Sequence, residues 1–244
     1  MTSLPAELSG RFPITDVAPT VLGGRRPAAA VVGEAVPVRA TAFREGHDAL
    51  GVHAVLRRPD GTVQDRVRMR SAQDGLDGWT AVVRPDAMGE WTFDIEAWGD
   101  PWGTWAHRAG IKSTAGVDVE VEFEEGARLL DRAAQAHTGD AAAMDALRGA
   151  ARTLRSTALP VSVRLAAASD PGVATLMHDH PIREQVTVSG PWPLRVQRRR
   201  ALVGSWYEFF PRSEGATDTR SGTLRDAVMR LPAIAGMGFD VVSS

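Results

Sequence analysis

The segment Gly204–Val242 constrains the fold of this chain more than any other. Gly204-Ser-Trp-Tyr-Glu-Phe-Phe-Pro-Arg-Ser213 is an aromatic run ending at a proline and reads as a short buried strand. After the polar stretch Glu214–Gly222, Leu224, Ala227, Val228 and Leu231 fall at helical spacing, and Gly238 stops the helix. Phe239-Asp-Val-Val242 is a second short apolar run. Strand, helix and strand in so few residues predict a parallel pair joined by a right-handed crossover. Two strands cannot close on themselves. The sequence stops at Ser244, just past the C-terminal end of the second strand, the edge at which barrel enzymes place their working loops.

The upstream chain reads differently. Over residues 12–115, Val36, Val38, Ala40 and Ala42 alternate with polar or small residues, as do Val52, Ala54 and Leu56. Pro59-Asp-Gly61 is a turn between strands over 52–58 and 62–70. Strands follow over 79–84 and through Trp91, Phe93, Ile95 and Ala97, with one more expected over 105–112. Short strands separated by turn residues predict an antiparallel sandwich of immunoglobulin-like type, although no Cys–Trp–Cys pattern ties it to antibody domains.

Near Gly116 the composition shifts to Ala, Leu, Glu and Arg. Val121, Ala127, Leu130 and Ala134 share a helical face, and Thr138-Gly-Asp140 breaks the run with Asp140 as N-cap of a helix over 141–154. A helix over 162–168 and one opened by Asp170-Pro171, ending near Met177, complete an expected antiparallel bundle. Pro191–Gln197 is extended again and rejoins the sandwich. The expected domains are therefore a β-sandwich over 11–115 and 188–200, an inserted helical bundle over 116–187, and a strand–helix–strand unit over 201–244.

Net charge −2 and a composition of 24% charged residues fit an ordinary globular chain and argue against nucleic-acid binding. With no cysteine, disulfides, thiolate metal sites and cysteine nucleophiles are excluded. Met1–Glu7 lacks the pattern of a signal peptide, and no stretch reaches membrane-spanning length, so a cytoplasmic location without membrane contact is expected.

Three tryptophans are the candidate site. Trp98, Trp102 and Trp105 flank Gly99-Asp-Pro101 and Gly103, a segment expected to be a loop. An exposed indole offers flat apolar area to a pyranose ring, against which stands packing between domains. Trp91 alternates with Phe93 and Ile95 and belongs to the core. His178-Asp-His180 has metal-ligand spacing but no second cluster, so a polar loop is favoured. Glu45-Gly-His-Asp48 sits at a hairpin end, Glu122, Glu124 and Glu125 at a helix start, and Arg198-Arg-Arg200 in a connector; all are read as structural. No nucleophile elbow, Walker loop, zincin or dinucleotide fingerprint occurs, and no cofactor or metal is expected.

An ordered set of segments carries a family resemblance. Arg11-Phe-Pro-Ile-Thr-Asp-Val17, Gly24-Arg-Arg-Pro27, Ala30-Val-Val-Gly-Glu34 and Phe43-Arg-Glu-Gly-His-Asp-Ala49 come first. Glu96-Ala-Trp-Gly-Asp-Pro101, Trp105-Ala-His-Arg108, Glu124-Glu-Gly-Ala127 and His180-Pro-Ile-Arg-Glu184 follow, then Trp206–Ser213 and Gly238–Val242. Together they resemble the N-terminal part of the α-1,4-glucan:maltose-1-phosphate maltosyltransferases of the α-amylase superfamily. The resemblance implies a sandwich with an inserted helical bundle, followed by a catalytic (β/α)8 barrel of which 201–244 is the first β-α-β unit. It also implies a homodimer, with α-maltose 1-phosphate as donor and α-1,4-glucan as acceptor. Retaining transfer needs a carboxylate nucleophile and an acid/base. In the family these lie beyond position 244, so no catalytic residue is assigned in this chain. Trp102 departs from the pattern, which expects a smaller or different side chain there. The expected role is an accessory scaffold; the alternative is a free-standing carbohydrate-binding or assembly module.

Overall fold

The computed structural model describes residues 10–73, 75–137 and 139–243. The readings placed on Met1–Glu7, on Thr138 and on Ser244 lie outside them. The architecture is mixed α/β. In chain order the elements are β1 (Ile14–Ala18), β2 (Ala28–Val31), β3 (Val36–Ala42), β4 (Leu50–Arg57), β5 (Val63–Arg68), β6 (Arg70–Ser71), β7 (Gly78–Val83) and β8 (Gly89–Gly99). Then come α1 (Pro101–Ala115), α2 (Val119–Ala136), α3 (Ala141–Arg155), α4 (Val161–Ala168), α5 (Pro171–Asp179) and β9 (Glu184–Gln197). The chain finishes with β10 (Trp206–Glu208), α6 (Leu224–Val228), α7 (Leu231–Gly236) and β11 (Val241–Ser243).

Strands β1-β3-β7-β6 form one sheet and β2-β9-β8-β4-β5 another. Alternation explains why they face each other. Val36, Val38, Ala40 and Ala42 from the first sheet meet Val52, Ala54, Leu56, Trp91, Phe93, Ile95 and Ala97 from the second in one apolar cluster. All of these were placed inward by sequence. Strand β9 is longer than the expected 191–197 run, and it pairs antiparallel with β8 and parallel with β2. Gly99 and Glu184 are register partners. The helices are thus inserted between two neighbouring strands, as if they were one long hairpin loop.

Helices α2, α3, α4 and α5 follow the sequence reading, and Asp140 and Asp170 cap α3 and α5 through their side chains. Val121 is a miss, being 67% exposed while Phe123, Ala127, Leu130 and Ala134 carry the buried face. The larger correction concerns residues 101–115. The expected strand over 105–112 is the middle of α1, and Gly103 lies inside that helix. Asp100 caps it and Pro101 occupies its first position, where a missing N–H costs nothing. Trp105 and Ala109 accordingly join the helical core with Phe123, Leu130, Leu147 and Leu154. The indole of Trp105 lies where a Cβ on Gly126 would sit, 2.2 Å from its ring, so only glycine lets α1 and α2 approach so closely.

Strands β10 and β11 form a parallel pair, Trp206 against Val241, as expected. Two short helices, rather than one, connect them. Thr223 and Asp226 make a reciprocal capping box at α6, and Pro232 stands in the first turn of α7, so the chain restarts a helix at Leu231 instead of continuing one.

Candidate functional site

The three candidate tryptophans occupy the seam where β8 becomes α1. Trp98 is fully buried, on the face of the five-stranded sheet turned away from the apolar core. Its indole covers Gly51, whose added Cβ would lie 2.2 Å from the ring. Its N–H donates to Nδ1 of His53 at 3.3 Å, and the Arg68 guanidinium lies 5.1 Å from its ring centroid. Trp105 is buried and donates to the carbonyl of Glu122 at 2.7 Å. Trp102 is half-buried, stacked on Trp105 with centroids 4.6 Å apart. The structure brings Trp102 and Trp105 together, leaves Trp98 on the sheet, and gives Trp98 and Trp105 no exposed indole face.

Around Trp98 the outer sheet face is polar and paired. Register aligns His53 with Glu96 on β8 and with Arg68 on β5. Glu96 accepts from Arg66 at 3.2 Å and from Arg183 at 2.7 Å, and Asp94 accepts from Arg57 at 2.6 Å. Arg68 binds Asp100 Oδ2 at 2.8 Å and the carbonyl of His178 at 3.3 Å. Both ends of the helical insertion, Asp100 and Arg183, are therefore tied to the sheet through charge. Burial, followed by the nearby Arg183 and Arg68, lowers the His53 pKa to about 4, and the imidazole stays neutral as the acceptor for Trp98.

Beside this seam lies a polar cleft of about 420 Å³. Arg11 ahead of β1, Arg44 and Asp48 after β3, Gly99 through Pro101, Thr104 and Arg108 of α1, Glu125 of α2, and Glu184 and Gln185 of β9 line it. Segments far apart in sequence converge here, among them most of those on which the family resemblance was drawn. The walls are locked by hydrogen bonds. Ala49 N–H donates to the hydroxyl of Thr104 at 2.8 Å, which in turn donates to the carbonyl of Asp100 at 2.8 Å. The carboxylates have cationic partners: Asp48 holds Arg44 at 2.7 Å, Glu184 holds Arg132 at 2.5 Å, and Glu125 holds Arg108. Arg108 also reaches buried Glu122, as does Lys112 at 2.8 Å. Burial acts to raise the Glu122 carboxyl, but the hydrogen bonds from Lys112 and Arg108 outweigh it and hold it below the usual carboxylate range.

The remaining sequence candidates separate. His180 meets His137 edge-on at 4.7 Å, and no group of three metal-ligating side chains converges among the described residues. Asp48 pairs with Arg44, while His47 is exposed. Glu124 binds Arg155 and Arg128, which hold its pKa down to about 2. Arg199 donates to the carbonyl of Val32 and Arg200 pairs with Asp240, so the arginine run fixes the connector. Sequence reasoning missed Arg11, Arg44, Arg108 and Gln185. The one available signal was Asp100-Pro101, the same cap-and-proline pair that was read at Asp170-Pro171.

Comparison with known proteins gives one consistent result. The family model for domain N/S of α-1,4-glucan:maltose-1-phosphate maltosyltransferase matches residues 10–198. Two enzymes of that name from Streptomyces coelicolor are each 52% identical, over 233 and 239 residues, covering 96% of this chain and 35% and 34% of their own lengths. One from Mycobacterium tuberculosis is 40% identical over 264 residues, covering 96% of this chain and 37% of its own. The chain spans about a third of the length of these relatives.

Proposed function

We propose a function for this chain from the family to which it belongs, the α-1,4-glucan:maltose-1-phosphate maltosyltransferases. It is the N-terminal accessory region of such an enzyme, a scaffold for the part that moves maltosyl units from maltose 1-phosphate to α-1,4-glucan. The observation that carries this reading is the alignment itself: 96% of this chain falls within 35% of a relative. On this reading the two sheets, which share one apolar cluster, are an immunoglobulin-like sandwich, and the helices between β8 and β9 are an insertion beginning at Asp100 rather than at Gly116. Residues 201–244 are the first β-α-β unit of a (β/α)8 barrel. Two facts support that last assignment. The domain N/S match ends at 198, one residue past the end of β9, and beyond it Val203, Trp206, Phe210, Leu224 and Met229 expose large apolar side chains. A homodimer and a cytoplasmic location belong to the same proposal; no helix among the described residues is long and apolar enough to cross a membrane.

A free-standing glucan-binding module draws less support, because two of its three tryptophans are buried. The test is direct. Purified chain incubated with maltose 1-phosphate and glycogen is expected to release no phosphate, and measured release would overturn the scaffold reading.

A further inference from the structure

We propose that the helical insertion is a movable arm on the sandwich, and that Arg68 is the clamp that fixes its angle. The role goes beyond the scaffold reading and does not depend on it. Packing is the first argument. The sheets share one apolar cluster and the helices another, and no residue belongs to both. Trp98, buried at the seam, belongs to neither. Two bodies that each have their own core and meet across a polar seam move relative to one another unless something holds them.

The bonds across the seam are the second argument. Asp100 N–H donates to the carbonyl of Ala49 at 3.0 Å, and Ala49 N–H donates to the hydroxyl of Thr104 at 2.8 Å. On the return side Arg183 holds Glu96 at 2.7 Å and Arg132 holds Glu184 at 2.5 Å. Each of these reaches one crossing only. Arg68, on β5, reaches both. Its Nη2 donates to Oδ2 of Asp100, the cap of α1, at 2.8 Å, and its Nη1 to the carbonyl of His178, in the last turn of α5, at 3.3 Å. The ring of Trp98, 5.1 Å from the guanidinium, fixes that group from the sheet side. Asp100 divides its two oxygens, one accepting from Gly103 N–H to cap the helix and the other from Arg68. One side chain of the sheet therefore holds the first and the last turn of the arm.

The third argument is the form of the two attachments. A single residue, Asp100, separates the last residue of β8 from the first of α1. At the return crossing the ladder is broken: Ala97 pairs with Thr187 and Gly99 with Glu184, so β9 carries one residue more than β8. Gln185, inside this bulge, holds a φ of 52°. Bulges bend a strand and interrupt its pairing, and hinges are a few element-terminal residues that absorb backbone rotation.

The test uses the 244-residue chain, which has no cysteine, so two introduced ones are its only thiol labelling sites. Spin labels at Met88→Cys, at the far end of β8, and at Ala146→Cys, exposed on α3, report the arm's angle as a distance distribution in pulsed EPR. One narrow distribution is expected with Arg68 and Asp100 intact. Asp100→Asn keeps a capping oxygen but replaces the acceptor for Arg68 by an amide, and it should broaden and shift the distribution while far-UV helical signal holds. Arg68→Met, which keeps an apolar stem against Trp98, should do the same. Arg132→Ala removes an exposed pair and should leave the distribution as it was. An unchanged distribution in both Asp100→Asn and Arg68→Met overturns the proposal. Loss of helical signal in both does so too, since the pair would then serve folding rather than angle. Equal broadening in Arg132→Ala would give the angle to the seam as a whole and remove Arg68 as the clamp.

Discussion

At the scale of single residues, Trp91 and Trp98 show how far alternation reads. Both lie on β8, and period two puts Trp91 with Phe93, Ile95 and Ala97 in the core. The same rule sends Trp98 to the opposite face, but nothing in the pattern says that this face is covered. Its cover is made by residues distant in sequence: Arg68, held in turn by the carbonyl of His178, and His53. Trp98→Ala should therefore cost roughly 3–5 kcal/mol in chemical denaturation, as for a large buried aromatic, whereas a sugar-stacking tryptophan would be nearly neutral. His53 sets a pH dependence. Its pKa is about 4 in the fold against an ordinary 6.5, so between these values the unfolded chain binds the extra proton. Stability contributed by His53 is complete above pH 6.5 and is lost as pH falls toward 4, by about 3 kcal/mol. Urea midpoints measured from pH 7 to 4 should fall less steeply in His53→Gln, which keeps an acceptor for Trp98 without titrating.

Among the elements, α1 is the instructive case. Trp105-Ala-His-Arg-Ala-Gly-Ile-Lys112 has no strict period of two or of 3.6, and its aromatic and aliphatic residues suggested a strand. Local chemistry at its start decided otherwise: an Asp cap, a proline at the first position, and Gly126 on α2 making room for Trp105. The long helices were legible because caps and apolar spacing agreed. The convergence of Arg11, Arg44, Arg108 and Gln185 was not, since side chains from separated segments meet only after the sheet has formed. The two aspartate caps should differ when removed. Asp170 is exposed and only caps, so Asp170→Ala should cost about 1 kcal/mol. Asp100 is buried and also holds Arg68, so Asp100→Ala should cost about 2–4 kcal/mol. Thermal melts of both variants decide; equal losses would mean the Arg68 pair contributes nothing.

For the whole molecule, burial is uneven. Two apolar clusters hold the sheets and the helices, while the last forty or so residues keep few fully buried side chains, Ala227 and Ile234 among them. Amide exchange should accordingly be fastest after Val203 and slowest in β4 and β8. Equal protection throughout would contradict this uneven burial. Overall topology has a kinetic consequence as well. Gly99 and Glu184 are register partners separated by α1 to α5, so zipping β8 to β9 requires closing a very long loop. Helices built from local contacts form quickly and shorten that loop in advance. The central sheet thus inherits its speed of assembly from a region that contributes none of its strands. Leu147→Ala, in the middle of α3 and in the helical core, is expected to slow formation of the β8–β9 pair in stopped-flow refolding, although it lies in no strand of that sheet.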